Sequence, residues 1–467
     1  MEKITVKEIL DATKGKLLEG SKSAFFSNIC TDTRNIKNGD LFIALQGKNF
    51  DGHDFINEAV KSGVAGIIVQ STGYRVQREK KIAIIKVKNT LRALGDIGNF
   101  YRKKFKIKTI AITGSNGKTT TKEMLSNILE QKYSVLKNKG NFNNQIGIPF
   151  TLFQLSKKYR FAVLELGTNY PGEIKRLSEI VMPDFGIFTN VGLSHTKGLG
   201  DLSGVAKEKI SLFLGLNSGG TAVYNSDDKK INEFLKKNLS RLKKNKLKML
   251  TYSIVNKGGF FASDIRNLKE KGISFVLNKE KKRITVHLAL PGIHNVYNAL
   301  AAASCASIAA RMSFVEIKKG LEKTIASPMR SEIIKIGKSI LINDAYNANP
   351  NSLEKALLMM KNWDSENKSS FKKILVLGDM LELGKFGKKS HKDAGLACNK
   401  CGIDILATYG SLAELAAKEF KKNGGKTFIF EDKDKLKKFV ERALKGKNLI
   451  LVKGSRSMKM EETIKGI

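Results

Sequence analysis

The chain has 467 residues, a length typical of about three domains. Apolar residues make up 41% of it, which is enough for packed cores, and no stretch is long and apolar enough to span a bilayer. The N-terminal stretch MEKITVKEILDATKGKLL lacks the apolar segment of a secretory signal and predicts folded structure. These features predict a cytoplasmic protein without a membrane partner.

The formal net charge of +39 raises the question of a nucleic-acid partner. However, the lysines are spread over the whole chain, and no basic patch is interleaved with aromatic residues. An anionic substrate and a general preference for lysine over arginine explain the charge equally well. We therefore expect no nucleic-acid partner.

Residues 1–86 alternate between helical and strand patterns, which predicts a small α/β domain. Its loop Thr31-Asp32-Thr33-Arg34 combines hydroxyl groups with a guanidinium. Such a combination suits a phosphate. A simple surface turn is the alternative that the residues leave open.

Buried strand patterns recur through the next part of the chain, residues 87–327, after a first helix. They include TIAIT, FAVLELG and DFGIFTN, separated by helical segments, as in a parallel sheet covered on both faces. Between residues 251 and 290 the pattern changes to short alternating strands, which predicts antiparallel pairing.

Residues 328–467 repeat the alternation of buried strands and helices, which predicts a second doubly wound sheet. The predicted fold class is therefore α/β with three domains. These are a small N-terminal domain (1–86), a central P-loop ATPase-like domain with a parallel sheet (87–327) and a C-terminal Rossmann-like domain (328–467).

The stretch TIAITGSNGKTTTKEM predicts a strand, a tight loop and the start of a helix. Loop N–H groups and a helix N-terminus suit the phosphates of ATP, a lysine adds a point charge, and a threonine hydroxyl suits Mg²⁺. Ile112 stands where the general P-loop pattern has glycine, so an ordinary strand-to-helix turn is the alternative. The predicted ATP-binding residues are Gly114, Ser115, Asn116, Gly117, Lys118, Thr119 and Thr120.

Three further side chains of the central domain are candidates for catalysis or metal binding. Glu165 ends a strand one beyond the P-loop strand, where a carboxylate suits Mg²⁺. His195 follows another strand, as a metal ligand, a proton carrier or a surface residue. Lys209 lies in a predicted helix, and its local chemistry does not distinguish it from Lys207.

Polar residues also occur at the predicted ligand edges further along. Asn295 and Asn298 share one helix face, and their amides suit an adenine edge, with helix capping the alternative at Asn295. At the edge of the third domain, Asp344 is a candidate for contact with a ribose, and Arg330 is a candidate for contact with a phosphate. The same edge carries a cluster of polar residues, which are Tyr346, Asn347, Lys453, Ser455 and Arg456.

Together these residues resemble the Mur ligase family of ATP-dependent amide ligases, over essentially the whole chain. The family's loop pattern TGxNGKT[ST] matches residues 113–120 and accounts for Ile112. Four other stretches carry the resemblance: GNFNNQIGIP, LELGTNYPGEI, NDAYNANPNS and LVKGSRSMKME.

The resemblance implies a reaction in which ATP activates the terminal carboxylate of UDP-N-acetylmuramoyl-tripeptide as an acyl phosphate. D-alanyl-D-alanine then attacks, and ADP and phosphate are released. The motif D-N-P-R, expected in the family member that adds the third peptide residue, does not occur, which favours the dipeptide acceptor. A related ligase with another acceptor, such as one that adds glutamate to folate, and a basic nucleic-acid-binding ATPase are the alternatives.

The resemblance also implies roles for individual residues. Lys118 and the loop would hold the β- and γ-phosphates, and Asn295 and Asn298 would contact adenine. Two Mg²⁺ ions are expected, one on Thr119 and Glu165 and one on His195. Lys209 would be carbamylated and would hold Mg²⁺.

For the other substrates, the resemblance implies that the first domain binds the uridine diphosphate through Thr33, Arg34, Gln46 and Gly47. The remaining candidates for substrate binding are Asn143, Asn144, Asn169, Tyr346, Asn347, Lys453, Ser455 and Arg456. The expected protein is a monomer that acts in peptidoglycan precursor synthesis.

Overall fold

The computed structural model describes residues 1–47, 49–70, 82–364 and 371–467. They form two compact units. Unit 1 comprises Met1–Ala111, Tyr133–Gly167 and Glu173–Asp184, and unit 2 comprises Ile112–Lys132, Thr168–Gly172 and Phe185–Ile467. The boundaries of the three predicted domains stay a prediction.

The described residues contain 22 strands. In chain order they are β1 (Ile4–Thr5), β2 (Lys16–Glu19), β3 (Phe25–Phe26), β4 (Ile29–Cys30), β5 (Leu41–Ile43), β6 (Gly66–Val69), β7 (Ala83–Lys86), β8 (Lys108–Thr113), β9 (Val135–Lys137), β10 (Phe161–Glu165), β11 (Phe185–Phe188), β12 (Thr221–Asn225), β13 (Lys248–Ser253), β14 (Phe260–Asn267), β15 (Ile273–Lys279), β16 (Lys282–Leu288), β17 (Glu332–Ile336), β18 (Ser339–Asp344), β19 (Lys372–Gly378), β20 (Ile405–Tyr409), β21 (Lys426–Phe430) and β22 (Asn448–Lys453).

The same residues contain 16 α-helices, none of them long and apolar enough to cross a membrane. They are α1 (Val6–Thr13), α2 (Ile56–Lys61), α3 (Thr90–Lys103), α4 (Lys118–Leu129), α5 (Gly147–Leu152), α6 (Glu173–Val181), α7 (Thr196–Leu199), α8 (Leu202–Leu214), α9 (Lys229–Lys237), α10 (Leu239–Lys244), α11 (Ile293–Ala310), α12 (Phe314–Glu322), α13 (Pro350–Lys361), α14 (Gly387–Lys400), α15 (Ala413–Lys422) and α16 (Lys433–Leu444).

Unit 1 contains a five-stranded sheet in the order β2-β7-β6-β5-β4, parallel except for β2. Phe42 of this sheet packs in an apolar cluster with Ile56 and Ala59 of α2. The unit also contains three adjacent strands in the order β8-β10-β9, of which β9 and β10 pair parallel. Strand β8 contributes its first four residues to unit 1 and its last two to unit 2, because the division falls within it.

The first sheet of unit 2 has the order β16-β15-β14-β13-β12-β11-β8. Strands β11 to β14 are parallel, and β14, β15 and β16 pair antiparallel. The antiparallel pairing predicted for residues 251–290 is therefore confirmed for these last strands. Strands β15 and β16 extend the parallel sheet at its edge. Strand β13, which lies partly within residues 251–290, pairs parallel instead.

The second sheet of unit 2 has the order β17-β18-β22-β19-β20-β21, parallel except for β17. Successive residues of β22 enter different cores: Leu449 and Leu451 pack on one face, and Ile450 and Val452 pack on the other. Because both faces are covered, the strand is a continuous apolar run, as parallel sheets require. The α/β fold class is confirmed.

The loop that follows β19 is held by a buried histidine of α14. His391 is fully buried, its Nε2 accepts a hydrogen bond from the Met380 N–H (2.9 Å), and its Nδ1 lies 2.7 Å from the Gly387 carbonyl oxygen. A carbonyl oxygen only accepts, so Nδ1 carries the proton and the ring is neutral. Burial lowers the pKa of His391, although the Gly387 bond and the charge of Asp379 oppose this shift.

This arrangement predicts a loss of stability in mild acid. Because the pKa of His391 is lower in the folded chain than the ordinary value of 6.5, the unfolded chain binds more protons at this residue as the pH falls through that value. We expect the free energy of unfolding in urea to fall between pH 7.5 and 5.5, with part of the loss due to this residue. His391→Gln should show a shallower decline than the wild type, and an identical decline would contradict the assignment.

Candidate active site

The loop between β8 and α4 is the predicted ATP loop, and it is tightly enclosed. Gly117 precedes the helix with φ of +81°, and a Cβ there would lie 2.2 Å from Asn298 Oδ1. A Cβ at Gly114 would lie 1.8 Å from Thr189 Oγ1. Ile112, which stands where the general P-loop pattern has glycine, is fully buried within β8.

The lysine of the loop points back over it. Lys118 Nζ donates to the carbonyl oxygens of Gly114 (2.7 Å) and Ser115 (3.3 Å). The ammonium therefore lies beside the loop that carries the predicted phosphate-binding N–H groups. Thr119 and Thr120 follow in the first turn of α4, where hydroxyl groups and the N–H groups of a helix N-terminus favour an anion.

The segment that follows β11 fixes the conformation of this loop. Asn190 Oδ1 accepts from the Asn116 N–H (3.0 Å), and Asn190 Nδ2 and Thr189 Oγ1 donate to the Asn116 carbonyl oxygen (3.0 and 2.7 Å). Ser115 Oγ donates to the Gly192 carbonyl oxygen and accepts from the Gly192 N–H, both at 2.9 Å. Thr189 and Asn190 were not among the predicted site residues.

A reciprocal pair of amides joins the loop to the second sheet of unit 2. Asn349 Nδ2 donates to Asn116 Oδ1 (2.8 Å), and Asn116 Nδ2 donates to Asn349 Oδ1 (3.3 Å). Asn349 also caps the N-terminus of α13, which begins with Pro350. On the same helix, Asn351 Oδ1 accepts from the Leu193 N–H (3.0 Å). Both asparagines lie in the stretch NDAYNANPNS, and neither was among the predicted site residues.

Asn295 and Asn298 lie in the first turns of α11, buried and near the loop. Asn298 Nδ2 donates to Asn295 Oδ1 (3.0 Å), and Asn295 Nδ2 donates to the Pro291 carbonyl oxygen (2.8 Å). The N-cap position is Gly292, so the capping role considered for Asn295 is wrong. Each amide nitrogen carries a second hydrogen that these bonds do not use.

His195 lies at the N-terminus of α7 with a left-handed backbone, φ +54°. Its Nδ1 lies 2.7 Å from Glu382 Oε2, in the loop after β19. Contact with His195 lowers the pKa of Glu382. The backbone reinforces this approach, because the Lys197 N–H donates to the Glu382 carbonyl oxygen (2.9 Å) and Thr196 Oγ1 donates to that of Leu383 (3.0 Å). Glu382 was not predicted.

The two lysines of α8 that the sequence did not separate differ in the structure. Lys209 is 1% exposed, whereas Lys207 is exposed. Between them, Glu208 Oε2 accepts from the Gly172 N–H (2.7 Å) and Glu208 Oε1 accepts from Thr168 Oγ1 (3.3 Å). Glu208 thereby holds the turn that carries the predicted substrate residue Asn169.

Strands β18 and β22 of the second sheet end next to one another, and their last residues form an ion pair. Lys453 is 2% exposed, forms an ion pair with Asp344, and donates to the Asn347 carbonyl oxygen (3.0 Å). Ser455 is buried, and its Oγ accepts from the Leu381 N–H (2.7 Å). Arg456 lies 2.6 Å from Glu461 Oε1.

The adjacent Arg330 stacks on an aromatic ring. Its guanidinium carbon lies 3.7 Å from the centroid of the Tyr346 ring, and both residues are half-buried. Among the predicted residues of this edge, Arg330 and Tyr346 are thus in direct contact.

In unit 1, Glu165 is 3% exposed and its carboxylate is held by the neighbouring asparagine-rich loop. Asn143 Nδ2 donates to Glu165 Oε1 (3.0 Å), and Asn138 Oδ1 accepts from the Glu165 N–H (2.9 Å). Asn144 Oδ1 accepts from the N–H groups of Ile146 and Gly147 (3.0 and 2.8 Å), so it shapes the turn before α5.

The other predicted residues of unit 1 lie in two turns. Arg34 is exposed and donates to both oxygens of Asp32 at 2.9 and 2.7 Å, which lowers the pKa of Asp32 to about 2. Thr33 begins the same 3₁₀ turn. The Gly47 N–H donates to the Phe50 carbonyl oxygen (2.8 Å) next to Gln46, which faces Asp51 in an isolated bridge.

Comparison with known proteins places this loop and these strand ends in a family. Three family models match: "Mur ligase family, catalytic domain" over residues 26–102, "Mur ligase middle domain" over 112–306, and "Mur ligase, glutamate ligase domain" over 329–456. The chain belongs to the Mur ligase family. The prediction of this family from its motifs is confirmed.

The relatives include one enzyme whose name specifies the reaction. The UDP-N-acetylmuramoyl-tripeptide–D-alanyl-D-alanine ligase of Bacillus subtilis is 36% identical, over 100% of this chain and 99% of that protein. A crystal structure of MurF from Acinetobacter baumannii has a TM-score of 0.89 and 31% identity, covering 99% of this chain and 98% of the other. MurF from Thermotoga maritima in complex with ADP has a TM-score of 0.81 and 25% identity, covering 94% and 96%.

The enclosure of Gly117 predicts that its replacement weakens nucleotide binding. Gly117→Ala should reduce ADP affinity about tenfold or more, because the new methyl group meets Asn298 and the positive φ is strained. Gly219→Ala is the matched control, since its φ is +75° with nothing within 4 Å of its Cβ. Calorimetric titration with ADP, with melting temperatures for both variants, checks this, and equal affinity losses would contradict it.

Proposed function

We propose that the protein joins D-alanyl-D-alanine to the terminal carboxylate of UDP-N-acetylmuramoyl-tripeptide, with ATP converted to ADP and phosphate. The observation that carries this proposal is the family's nucleotide loop, whose Asn116 pairs with Asn349 at the edge of the second sheet. That contact joins the loop to the segment of unit 2 that also carries the substrate candidate Asn347. The names of the relatives support the choice of both peptide substrates.

We assign the nucleotide to unit 2. Lys118 and the loop N–H groups hold the β- and γ-phosphates, and the remaining amide hydrogens of Asn295 and Asn298 contact adenine. Asp344 binds the ribose, and Arg330 binds a phosphate. The ADP complex of the Thermotoga maritima relative supports a nucleotide as ligand.

Two Mg²⁺ ions form part of the proposal. Thr119 of unit 2 and Glu165 of unit 1 are each assigned as an oxygen ligand, the kind that Mg²⁺ prefers. Mg²⁺ commonly keeps several water ligands and binds phosphate oxygens beside one or two protein groups. His195 is the ligand for the second ion, with Glu382 beside its Nδ1 to orient the ring. When bound, the ions offset the charge of the transferred phosphoryl group.

The residues assigned to the other substrates are given for each unit by itself. Thr33, Arg34, Gln46 and Gly47 bind the uridine diphosphate, and Asn143, Asn144 and Asn169 contact the remainder of that substrate. Asn347, Lys453, Ser455 and Arg456 position the dipeptide, whose amine attacks the acyl phosphate carbon as phosphate leaves. The main task of these residues is orientation. We place the reaction in the cytoplasm, in peptidoglycan precursor synthesis, and the enzyme is a monomer.

The function is tested by phosphate release. We expect turnover only when ATP, Mg²⁺, UDP-N-acetylmuramoyl-tripeptide and D-alanyl-D-alanine are all present, and Lys118→Ala should reduce the rate about 100- to 1,000-fold. The exposed Lys243→Ala is the control for lost charge. Turnover with a single amino acid, with folate and glutamate, or with RNA in place of the dipeptide would identify one of the alternative functions.

Lys209 is proposed to be carbamylated, since carbon dioxide converts a buried amine into a carboxylate able to hold Mg²⁺. Lys209→Ala should lose most activity and recover part of it with a short carboxylic acid. The exposed Lys207→Ala should behave as the wild type. Carbon-13 NMR with labelled bicarbonate gives an independent readout, and a missing carbamate signal in the active wild type would refute the modification.

A further inference from the structure

The stacked pair of Arg330 and Tyr346 lies where the chain enters the second sheet of unit 2. The guanidinium carbon is 3.7 Å from the ring centroid, within the range of a cation–π contact. No described carboxylate pairs with Arg330. The planar group can lie on the ring and still direct its N–H groups outward, toward an anion.

The backbone fixes both partners of this contact. The Tyr346 N–H donates to the Met329 carbonyl oxygen (3.0 Å), so the strand end and the segment before the sheet are joined one residue from Arg330. Met329 and Ser331 flank the arginine with φ of +61° and +51°, a region that non-glycine residues rarely adopt. The Ser331 N–H donates to Asp344 Oδ1 (3.0 Å), which helps to hold this conformation.

The neighbouring charged side chains form ion pairs with residues other than Arg330. Asp344 pairs with the buried Lys453, and Arg456 lies 2.6 Å from Glu461. The contact that the structure gives the Arg330 guanidinium is the Tyr346 ring, at 3.7 Å. An arginine without such a support has many side-chain rotamers, and binding an anion then costs more conformational entropy.

We propose that Tyr346 is a positioning residue: its ring holds Arg330 ready for a phosphate of the nucleotide, and its hydroxyl group does not bind the dipeptide. This inference rests on the proposed function, and it replaces the substrate-binding role that the sequence resemblance implied for Tyr346. The two roles predict different results for Tyr346→Phe. If the ring is needed, this variant keeps its function, and if the hydroxyl group is needed, it loses it.

The test compares variants by calorimetric titration with ADP, which needs no acceptor substrate and so remains valid if the proposed function fails. Tyr346→Leu should weaken ADP binding about three- to tenfold, and Tyr346→Phe, which keeps the ring, should restore it. Arg330→Ala should weaken binding at least as much, and adding Tyr346→Leu to it should have little further effect. Tyr346→Met serves as the second ring-less variant if Tyr346→Leu does not fold.

Tyr409→Leu is the matched control, because Tyr409 ends β20 of the same sheet beneath another cation, Lys433. It should leave ADP affinity unchanged. Additive effects of Tyr346→Leu and Arg330→Ala would overturn the proposal. So would a Tyr346→Phe variant that keeps its ADP affinity but raises the KM for D-alanyl-D-alanine, since that result assigns the hydroxyl to the dipeptide.

Discussion

The close packing around Gly114 and Gly117 of the nucleotide loop is the constraint on which the candidate site in unit 2 depends. Thr189 approaches Gly114 from the end of β11, and Asn298 approaches Gly117 from α11, each within the distance that a Cβ would need. The polar atoms of the same segments then bond to the loop backbone around Asn116. The loop is therefore organised by its neighbours, and this lowers the ordering cost of binding a polyphosphate.

Much of the fold follows from local patterns in the sequence. Strand β22 is an uninterrupted apolar run because its alternate residues enter separate cores, and such runs predict parallel sheets covered on both faces. The alternating pattern of β15 and β16 predicts one covered face and antiparallel pairing, which the structure has. The loop TGSNGKTT is equally local, so its place between a strand and a helix was predictable.

The long-range contacts of the loop and of the segment around His195 were not predictable in this way. Asn349 is 233 residues from Asn116, and Leu383 is 187 residues from Thr196, so no local pattern connects them. Lys209 is a different case. The buried residues Val205, Ala206 and Phe213 mark one face of α8, and helical periodicity places Lys209 on that face and Lys207 off it. The functional roles of these residues stay predictions.

The amide pair of Asn116 and Asn349 bears on the chemical ageing of the protein. Asn116 precedes Gly117, and an asparagine before glycine readily loses its side-chain nitrogen as ammonia because the next backbone nitrogen attacks it unhindered. The resulting carboxylate would face the acceptor oxygen of Asn349 and add negative charge to a loop suited to phosphates. Asn349 contacts both polar atoms of this amide, so the loss of the nitrogen would remove one of the two hydrogen bonds that join the loop to α13.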